Sequence, residues 1–284
     1  MSNGQAITVV ATKRSGHHAF IEWICNNLDS SYLYLNNLPL RKDEVQVKFL
    51  EAREEGKGGE IDSHRYKEHK LISSEKVERY DNVILSYENQ PLRSVLSSNA
   101  FMAEQELLLK SERTRRLIVF IRDPVNAFAS FLKVVEKKPE KIKQFAGQKR
   151  AWMEHARLFL GESSRDVQDI FGAEVYMVSY NQFIRSADYR QTLAKELGLS
   201  GAEWSRSLSR FGGGGNTFFQ DRDGYQASVD SLESRWEELE DKSLLSEVFR
   251  DDSLYDLSLR FYQEVGLEHP FASVMGSLRA AKEA

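Results

Sequence analysis

The feature that most constrains the fold is an uninterrupted apolar run, Leu-Ile-Val-Phe-Ile, at residues 117–121. A strand that is apolar on both faces belongs inside a sheet covered on both sides, as parallel sheets are. Arg122, Asp123 and Pro124 follow at once. Proline cannot continue a strand, but it fits the first turn of a helix. We therefore expect a buried strand that ends beside Arg122 and leads directly into a helix.

Similar segments alternate along the chain. The patterns predict strands at 7–12, 32–37, 82–87, 116–121 and 174–179. They predict helices at 17–28, 91–110, 125–137, 141–161, 188–197, 228–240, 242–249 and 253–265. Strands that alternate with helices indicate an α/β fold, here a three-layer sandwich around a central parallel sheet.

The size of the chain fits one domain. It has 284 residues, of which 41% are hydrophobic, which is enough for one sizeable core. Residues 38–80 are polar and dense in charge, with several glycines. We expect a single domain over 1–284, with a charged insertion or lid at about 38–80.

The first predicted strand leads into a basic turn, Lys-Arg-Ser-Gly-His-His at 13–18, and then into an amphipathic helix. Free amide groups and the positive end of the helix dipole converge at such a helix N-terminus, so the turn can hold phosphate or sulfate. The alternative is a purely structural turn before a core helix.

The turn differs from the ATP-binding loop Gly-x-x-x-x-Gly-Lys-Ser/Thr. Aligned on Gly16, the chain has Ala11 at the first position and His17-His18 in place of Lys-Ser/Thr. The Mg²⁺-binding hydroxyl and the lysine for the terminal phosphates are therefore missing, and positive charge lies instead at Lys13 and Arg14. This favours an anionic ligand that needs no Mg²⁺.

A second anion-binding element is predicted around Arg122. Its position after a parallel strand is at the sheet edge where open α/β folds bind ligands. Ser130 follows two helical turns later. An arginine fork with a hydroxyl suits a phosphate dianion. The alternative is a surface ion pair between Arg122 and Asp123.

Together the two elements resemble the sulfotransferases that use 3′-phosphoadenosine 5′-phosphosulfate (PAPS), a family with a P-loop NTPase-like fold. The resemblance implies that the 5′-phosphosulfate binds to the turn, at Lys13, Arg14, Ser15, Gly16, His17 and His18. It implies that Arg122 and Ser130 bind the 3′-phosphate. The family usually has Thr-Thr or Ser-Thr where this chain has His17-His18.

Weaker similarities extend the resemblance. Tyr180 follows the strand at 174–179 and, by the resemblance, lies near the adenine. Arg210 and Gly213 belong to the run Arg-Phe-Gly-Gly-Gly-Gly-Asn, which is similar to the family's loop over the 3′-phosphate. The alternative for this run is a flexible linker between helices.

The resemblance also implies the catalytic groups. Arg14 occupies the position of the family's catalytic Lys or Arg, which acts on the bridging oxygen. A general base must take the acceptor's proton. Glu88, at the end of the strand 82–87, is the first candidate, and His18 and His17 compete with it. The alternative for Glu88 is an exposed carboxylate at a strand end.

Composition limits partners and compartment. A net charge of −4 argues against nucleic acid, and no apolar run is long enough for a membrane span. His64 and His69 do not share a helix face, and the single cysteine, Cys25, excludes a cysteine cluster, so we expect no metal.

We expect a cytoplasmic sulfotransferase that uses PAPS and acts on a hydroxyl or amine of a small-molecule or carbohydrate acceptor. The oligomeric state is not readable from the sequence. Two alternatives stay open, a degenerate P-loop kinase or NTPase and a non-catalytic nucleotide-binding relative.

Overall fold

The structure is a computed structural model that describes residues 4–38, 48–49, 53–55, 58–62, 70–71, 77–109, 112–162, 164–204 and 229–272. The strands are β1 (Gln5–Ala11), β2 (Tyr32–Asn36), β3 (Lys48–Phe49), β4 (Arg53–Glu55), β5 (Gly58–Asp62), β6 (Lys70–Leu71), β7 (Asn82–Glu88), β8 (Thr114–Ile121) and β9 (Glu174–Ser179).

The helices lie mainly between the strands of the sheet and after the last one. They are α1 (His17–Asn26), α2 (Leu92–Leu96), α3 (Asn99–Leu109), α4 (Pro124–Lys137), α5 (Phe145–Phe159), α6 (Ser164–Phe171), α7 (Tyr180–Arg185), α8 (Ala187–Glu196), α9 (Val229–Glu233), α10 (Ser243–Val248) and α11 (Asp252–Glu264). Two 3₁₀ segments are also described. Pro139–Gln144 lies directly before α5, and Arg235–Glu238 lies shortly after α9.

The main sheet has the strand order β4-β5-β2-β7-β1-β8-β9. All its neighbours are parallel except β4 and β5. The strands predicted at 7–12, 32–37, 82–87, 116–121 and 174–179 all occur and form the contiguous parallel part. The expected α/β class is confirmed.

Both faces of the sheet are covered, as the apolar run in β8 predicts. Leu117 and Val119 face one core cluster, which includes residues of α2, α3 and α6. Ile118 and Phe120 face the other, which includes residues of α1, α7 and α8. Because successive strand residues point to opposite faces, this alternation produces three layers.

The helical pattern differs from the prediction at several positions. The segment predicted as one helix at 228–240 contains the short helix α9 and then a 3₁₀ turn. The segment 91–110 is two helices rather than one, and the side chain of Ser98 accepts a hydrogen bond from the Phe101 amide at the start of the second (3.4 Å). The segment 141–161 begins as a 3₁₀ turn before α5. Helices α6 and α7 are absent from the sequence prediction.

The segment expected to be an insertion or lid is described only in part. Strand β5 pairs with β2 and extends the main sheet, β4 pairs with β5, and β3 pairs with β6. The rest of 39–76 lies outside the described residues, so its interpretation as a lid stays a prediction. None of the described helices is long and apolar enough to cross a membrane.

Candidate functional site

The carboxyl ends of the parallel strands meet at one edge of the sheet. Ala11, the last residue of β1, is in register with Glu88 and with Phe120, and Ile121 is in register with Ser179. The turn at 12–16, Arg122 and Tyr180 therefore follow strands at this edge, and Glu88 is the last residue of β7 there. The edge brings together the two elements that the sequence predicts for anion binding.

The turn between β1 and α1 has a defined conformation. Arg14 and Gly16 have positive φ angles of 66° and 88°, and the Ser15 amide donates to the Thr12 carbonyl. Gly16 is the N-cap residue of α1 and its carbonyl accepts from the Ala19 and Phe20 amides, which leaves the amides of His17 and His18 at the open end of the helix. These are the groups that bind anions at a helix start.

Two side chains from other elements hold the turn in place. The Lys13 amide donates to Oδ1 of Asn89 at 2.7 Å, and Nε2 of Gln148 donates to the Lys13 carbonyl at 3.0 Å. Asn89 follows β7 with a φ of 56°. The sequence interpretation missed both residues. A polar residue after a strand is a usable signal for Asn89, but no sequence signal distinguishes Gln148.

Tyr180 packs directly against the turn. A Cβ atom at Gly16 would lie 2.4 Å from Cε2 of the Tyr180 ring. Arg122 is another neighbour of this ring, with its guanidinium carbon 4.8 Å from the ring centroid, and the Phe120 ring packs edge to face against the tyrosine ring. The position therefore requires glycine for its φ angle and also for space.

Arg122 connects the two predicted elements. Its Nη1 donates to the Arg14 carbonyl at 3.3 Å, and its Nη2 donates to the Leu232 carbonyl. The side chain is fully buried, and its Nε has no hydrogen-bond partner within the described part of the chain. Leu232 lies in α9. A phosphate can therefore bind to Nη2 of Arg122 only if it displaces the Leu232 carbonyl from that nitrogen.

A buried polar network fixes the backbone beside Arg122. Asp123 caps α4 by accepting from the Asn126 amide at 2.8 Å. It also accepts from Asn181 Nδ2 at 3.0 Å and from the Tyr262 hydroxyl at 2.9 Å. Nε of Arg122 lies 3.7 Å from Oδ2 of Asp123. The predicted alternative, an ion pair of Arg122 with Asp123, is thus present, but both side chains are buried.

Two histidines converge on Glu88. Nε2 of His17 and Nε2 of His18 lie 3.1 and 3.3 Å from the same oxygen, Oε1. Nδ1 of His17 lies 3.3 Å from Oγ of Ser15, and Nε2 of His18 also lies 3.2 Å from Oδ1 of Asn36. His17 and Glu88 are nearly buried, whereas the His18 side chain is 24% exposed.

This arrangement shifts the proton affinities of the cluster. Burial alone would raise the pKa of Glu88, but hydrogen bonds and charge from His17 and His18 hold it well below its usual value. Burial and the neighbouring His18 lower the pKa of His17. Burial lowers the pKa of Arg14, and the Glu88 carboxylate acts against this.

The environment of Glu88 differs from the exposed strand end that the sequence allowed. A carboxylate with a depressed pKa is a weak base, and its Oε1 is occupied by both imidazoles. The geometry suits Glu88 to orienting the histidines. His18 is the more exposed of the two imidazoles.

The remaining predicted site residues are placed as follows. Ser130 lies in α4 and is buried. Arg210 and Gly213 lie outside the described residues, as does the whole glycine run.

No protein family model matches the chain, and no curated protein sequence matches it. Among solved structures, the crystal structure of mouse sulfotransferase SULT7A1 complexed with PAP is similar to it, with a TM-score of 0.46 and 12% identity. The alignment covers 90% of this chain and 85% of the mouse chain. At this identity and TM-score the likeness does not establish an activity or a ligand.

Proposed function

We propose that the chain is a PAPS-dependent sulfotransferase. The observation that carries the proposal is the contact between the two predicted anion elements. The Arg122 guanidinium bonds to the main chain of Arg14 and stacks on Tyr180, which packs on Gly16. A ligand with anionic groups at both ends, as PAPS has, suits two basic elements in contact.

In this proposal the 5′-phosphosulfate binds to the turn. The amides at the start of α1, Lys13, Arg14 and Ser15 surround the anion, and the rigid turn supplies fixed donors. Tyr180, at the same edge of the sheet, lies near the adenine. Arg122 and Ser130, with Arg210 and Gly213, bind the 3′-phosphate once α9 moves and frees Nη2 of Arg122.

The reaction is an in-line transfer, similar to phosphoryl transfer. The acceptor oxygen or nitrogen attacks sulfur as the bond from sulfur to the bridging oxygen of the 5′-phosphate breaks. Arg14 and Lys13 stabilise the charge that develops on that oxygen, and adenosine 3′,5′-bisphosphate leaves. The acceptor's proton passes to the imidazole of His18, and the Glu88 carboxylate stabilises the imidazolium that forms.

The acceptor is proposed to be polar, a sugar or another small molecule with a hydroxyl or amine. A cavity of about 590 Å³ is lined by Arg93 and by a face of α5. Arg93 lies in α2, which follows β7 and Glu88 in the chain. The lining also includes Arg150, Met153, Glu154, Arg157 and Glu162. These charged side chains could bind a polar group of the acceptor at the rim, while the apolar parts of the lining contact its carbon skeleton.

The test compares two ligands by calorimetry and thermal unfolding. Adenosine 3′,5′-bisphosphate is expected to bind without Mg²⁺, and a ligand at ~1,000 times its Kd stabilises the fold by about 4 kcal/mol. ATP with Mg²⁺ is the matched control, and tighter binding of Mg²⁺-ATP would indicate the kinase or NTPase alternative. An absence of binding at millimolar bisphosphate would contradict the proposal.

An acceptor screen with PAPS, read by mass spectrometry, then tests turnover. Sulfated product with bound bisphosphate supports the enzyme, whereas binding without product across glycans, phenols and amines favours the non-catalytic relative. Cytoplasmic location also stays a prediction, which localisation of the tagged chain would test.

A further inference from the structure

The cluster around Glu88 has a geometry that hydrogen bonding alone does not require. A carboxylate can accept two donors with one oxygen each, but here both imidazole Nε2 atoms approach Oε1. The three potential donor atoms of His17, His18 and Glu88 all lie within 4.8 Å of one another. Three such atoms around one point are the arrangement in which a metal ion is bound.

The separations fit a transition metal. Zinc binds histidine nitrogen and carboxylate oxygen at about 2.0–2.2 Å, which places tetrahedral ligands ~3.3–3.6 Å apart. The two nitrogen-to-oxygen separations, 3.1 and 3.3 Å, lie just below and at the lower end of this range, so the side chains need to separate only slightly to bind an ion. Oδ1 of Asn36, 3.2 Å from Nε2 of His18, is a further oxygen donor at the same place.

The surroundings also suit a metal-bound histidine. When His17 ligates through Nε2, its Nδ1 carries the proton, and Oγ of Ser15 at 3.3 Å can accept it. Metal-bound histidines usually donate their second ring N–H in this way. The partial exposure of His18 gives an ion a route to the cluster.

We propose that His17, His18 and Glu88 form a binding site for a divalent transition metal of the zinc type. Two nitrogens and one carboxylate oxygen leave a coordination position open, as in zinc sites with three protein ligands. Lys13 and Arg14 lie on the same turn and repel a dication, so we expect weaker binding than at a structural zinc site. Mg²⁺, which prefers oxygen ligands, is not expected to bind.

The sequence gives no reason to expect this site, because Glu88 is 71 residues from His17 along the chain. His64 and His69, on which the expectation of no metal depended, lie outside the described residues. Only the fold brings a carboxylate to the adjacent histidine pair.

One consequence rests on the proposed function. A metal on Nε2 leaves Nδ1 of His18 protonated, so the imidazole has no free lone pair to accept a proton from the acceptor. The metal-loaded chain is therefore expected to be inactive in sulfuryl transfer, and a chelator is expected to restore activity.

The test titrates the purified chain with Co²⁺ and follows the visible absorption of the bound ion, with Zn²⁺ as competitor. One equivalent is expected to bind and to be displaced by Zn²⁺ but not by Mg²⁺. His18→Gln and Glu88→Gln are each expected to weaken binding about tenfold or more. Glu22→Gln makes the same chemical change one turn beyond His18 in α1 and should leave Co²⁺ binding unchanged. Lys13→Ala should tighten binding, because it removes a repelling charge.

A spectrum without Co²⁺ bands, or equal binding by Glu88→Gln and the unchanged chain, would overturn the metal site and leave a hydrogen-bond network. Thermal unfolding of each variant verifies that it is folded. Because binding is read without turnover, the two proposals fail separately. A chain that binds Zn²⁺ but transfers no sulfuryl group even after a chelator has removed the metal fails only the proposed function. An active chain that binds no Zn²⁺ fails only this inference.

Discussion

Nη1 of Arg122 donates a hydrogen bond to the main-chain carbonyl of Arg14 at 3.3 Å, across 108 residues of sequence. The same guanidinium donates to Leu232 and stacks on Tyr180. One planar group with several donors can make these contacts at once. This one side chain therefore links the basic turn to the end of β8, in addition to the contacts that Asn89 and Gln148 make with Lys13.

Arg122→Lys is expected to loosen the turn and to weaken binding of adenosine 3′,5′-bisphosphate. A lysine has a single nitrogen and cannot bond to both carbonyls, and hydrogen bonds from a charged group contribute about 1.5–3 kcal/mol each. We expect a lower melting temperature and a 10- to 100-fold rise in Kd by calorimetry. The control is Arg250→Lys, at an exposed pair with Glu247, which should change neither the melting temperature nor the Kd. An unchanged Kd for Arg122→Lys would contradict the role of Arg122 in holding the turn.

Arg14→Ala is expected to abolish turnover while the chain stays folded. Removing a fixed donor to a developing charge typically reduces kcat by about 10²–10³. Alanine at this φ of 66° is no more strained than arginine. The measurement is release of adenosine 3′,5′-bisphosphate with an acceptor from the screen. Arg260→Ala, at an exposed pair with Glu162, is the control, and retained turnover in Arg14→Ala would contradict the assignment.

Gly16→Ala and Gly161→Ala separate backbone strain from lack of space. Both glycines have positive φ, 88° and 85°, but an added Cβ meets the Tyr180 ring only at Gly16. Strain alone costs about 1–2 kcal/mol, so we expect that loss for Gly161→Ala in urea unfolding. Gly16→Ala should lose more unfolding free energy than Gly161→Ala and should also weaken anion binding. Equal losses of unfolding free energy in the two variants would show that the Tyr180 ring moves aside at no energetic cost.

Asp123 and Asp251 offer a matched pair of helix caps. Each accepts a hydrogen bond from the amide three residues on. Asp251 is partly exposed and also accepts from Lys149 and Ser253, whereas Asp123 is buried and accepts from Asn181 and Tyr262. Loss of a cap costs about 1 kcal/mol and loss of a partly exposed ion pair at most about 1 kcal/mol more, so we expect about 1–2 kcal/mol for Asp251→Ala. Asp123→Ala should cost about 3–5 kcal/mol, because buried donors and Arg122 lose their partner. Similar costs in chemical denaturation would contradict the importance of the network.

Stability is expected to fall as the solution is acidified from ~pH 6.5 to ~pH 4. Burial lowers the pKa of His155 and of His269 to about 4. In this window the unfolded chain binds protons that the folded chain excludes, so protons favour unfolding. Each histidine contributes at most ~3 kcal/mol. Nδ1 of His269 accepts from the Phe271 amide, which requires the neutral ring.

His155→Phe keeps the buried ring and removes the titrating group. Urea unfolding across this pH window should show a smaller loss of stability for this variant than for the unchanged chain. If the unfolding free energy of the variant and of the unchanged chain depended on pH in the same way, the role of His155 would be contradicted.

The sequence predicted the fold well where the signal is local. The apolar run at 117–121 implies a strand buried on both faces, and the alternation of strands and helices implies a parallel sheet. Helix boundaries were less predictable, since the break near Ser98 depends on one side-chain hydrogen bond that competes with helix continuation. The sequence prediction missed the short helix at Tyr180, because this helix follows the preceding strand directly.

The candidate site was predictable only in part. Residues adjacent to strand ends, such as Arg14, Glu88 and Arg122, follow from strand order, because parallel strands present their carboxyl ends at one edge. Gln148 and Asn36 were missed, since a polar residue within a helix or strand has no local feature that shows what it contacts.

The sequence by itself determined the parallel α/β sheet and the basic turn at its edge, because both follow from hydrophobic periodicity and from residues next to one another in the chain. Only the tertiary structure decided that Arg122 bonds to the main chain of Arg14 and that Glu88 receives both His17 and His18. These contacts join residues at least 70 positions apart. Their geometry depends on strand register and on which side chains fill the space between strands, and neither is encoded locally.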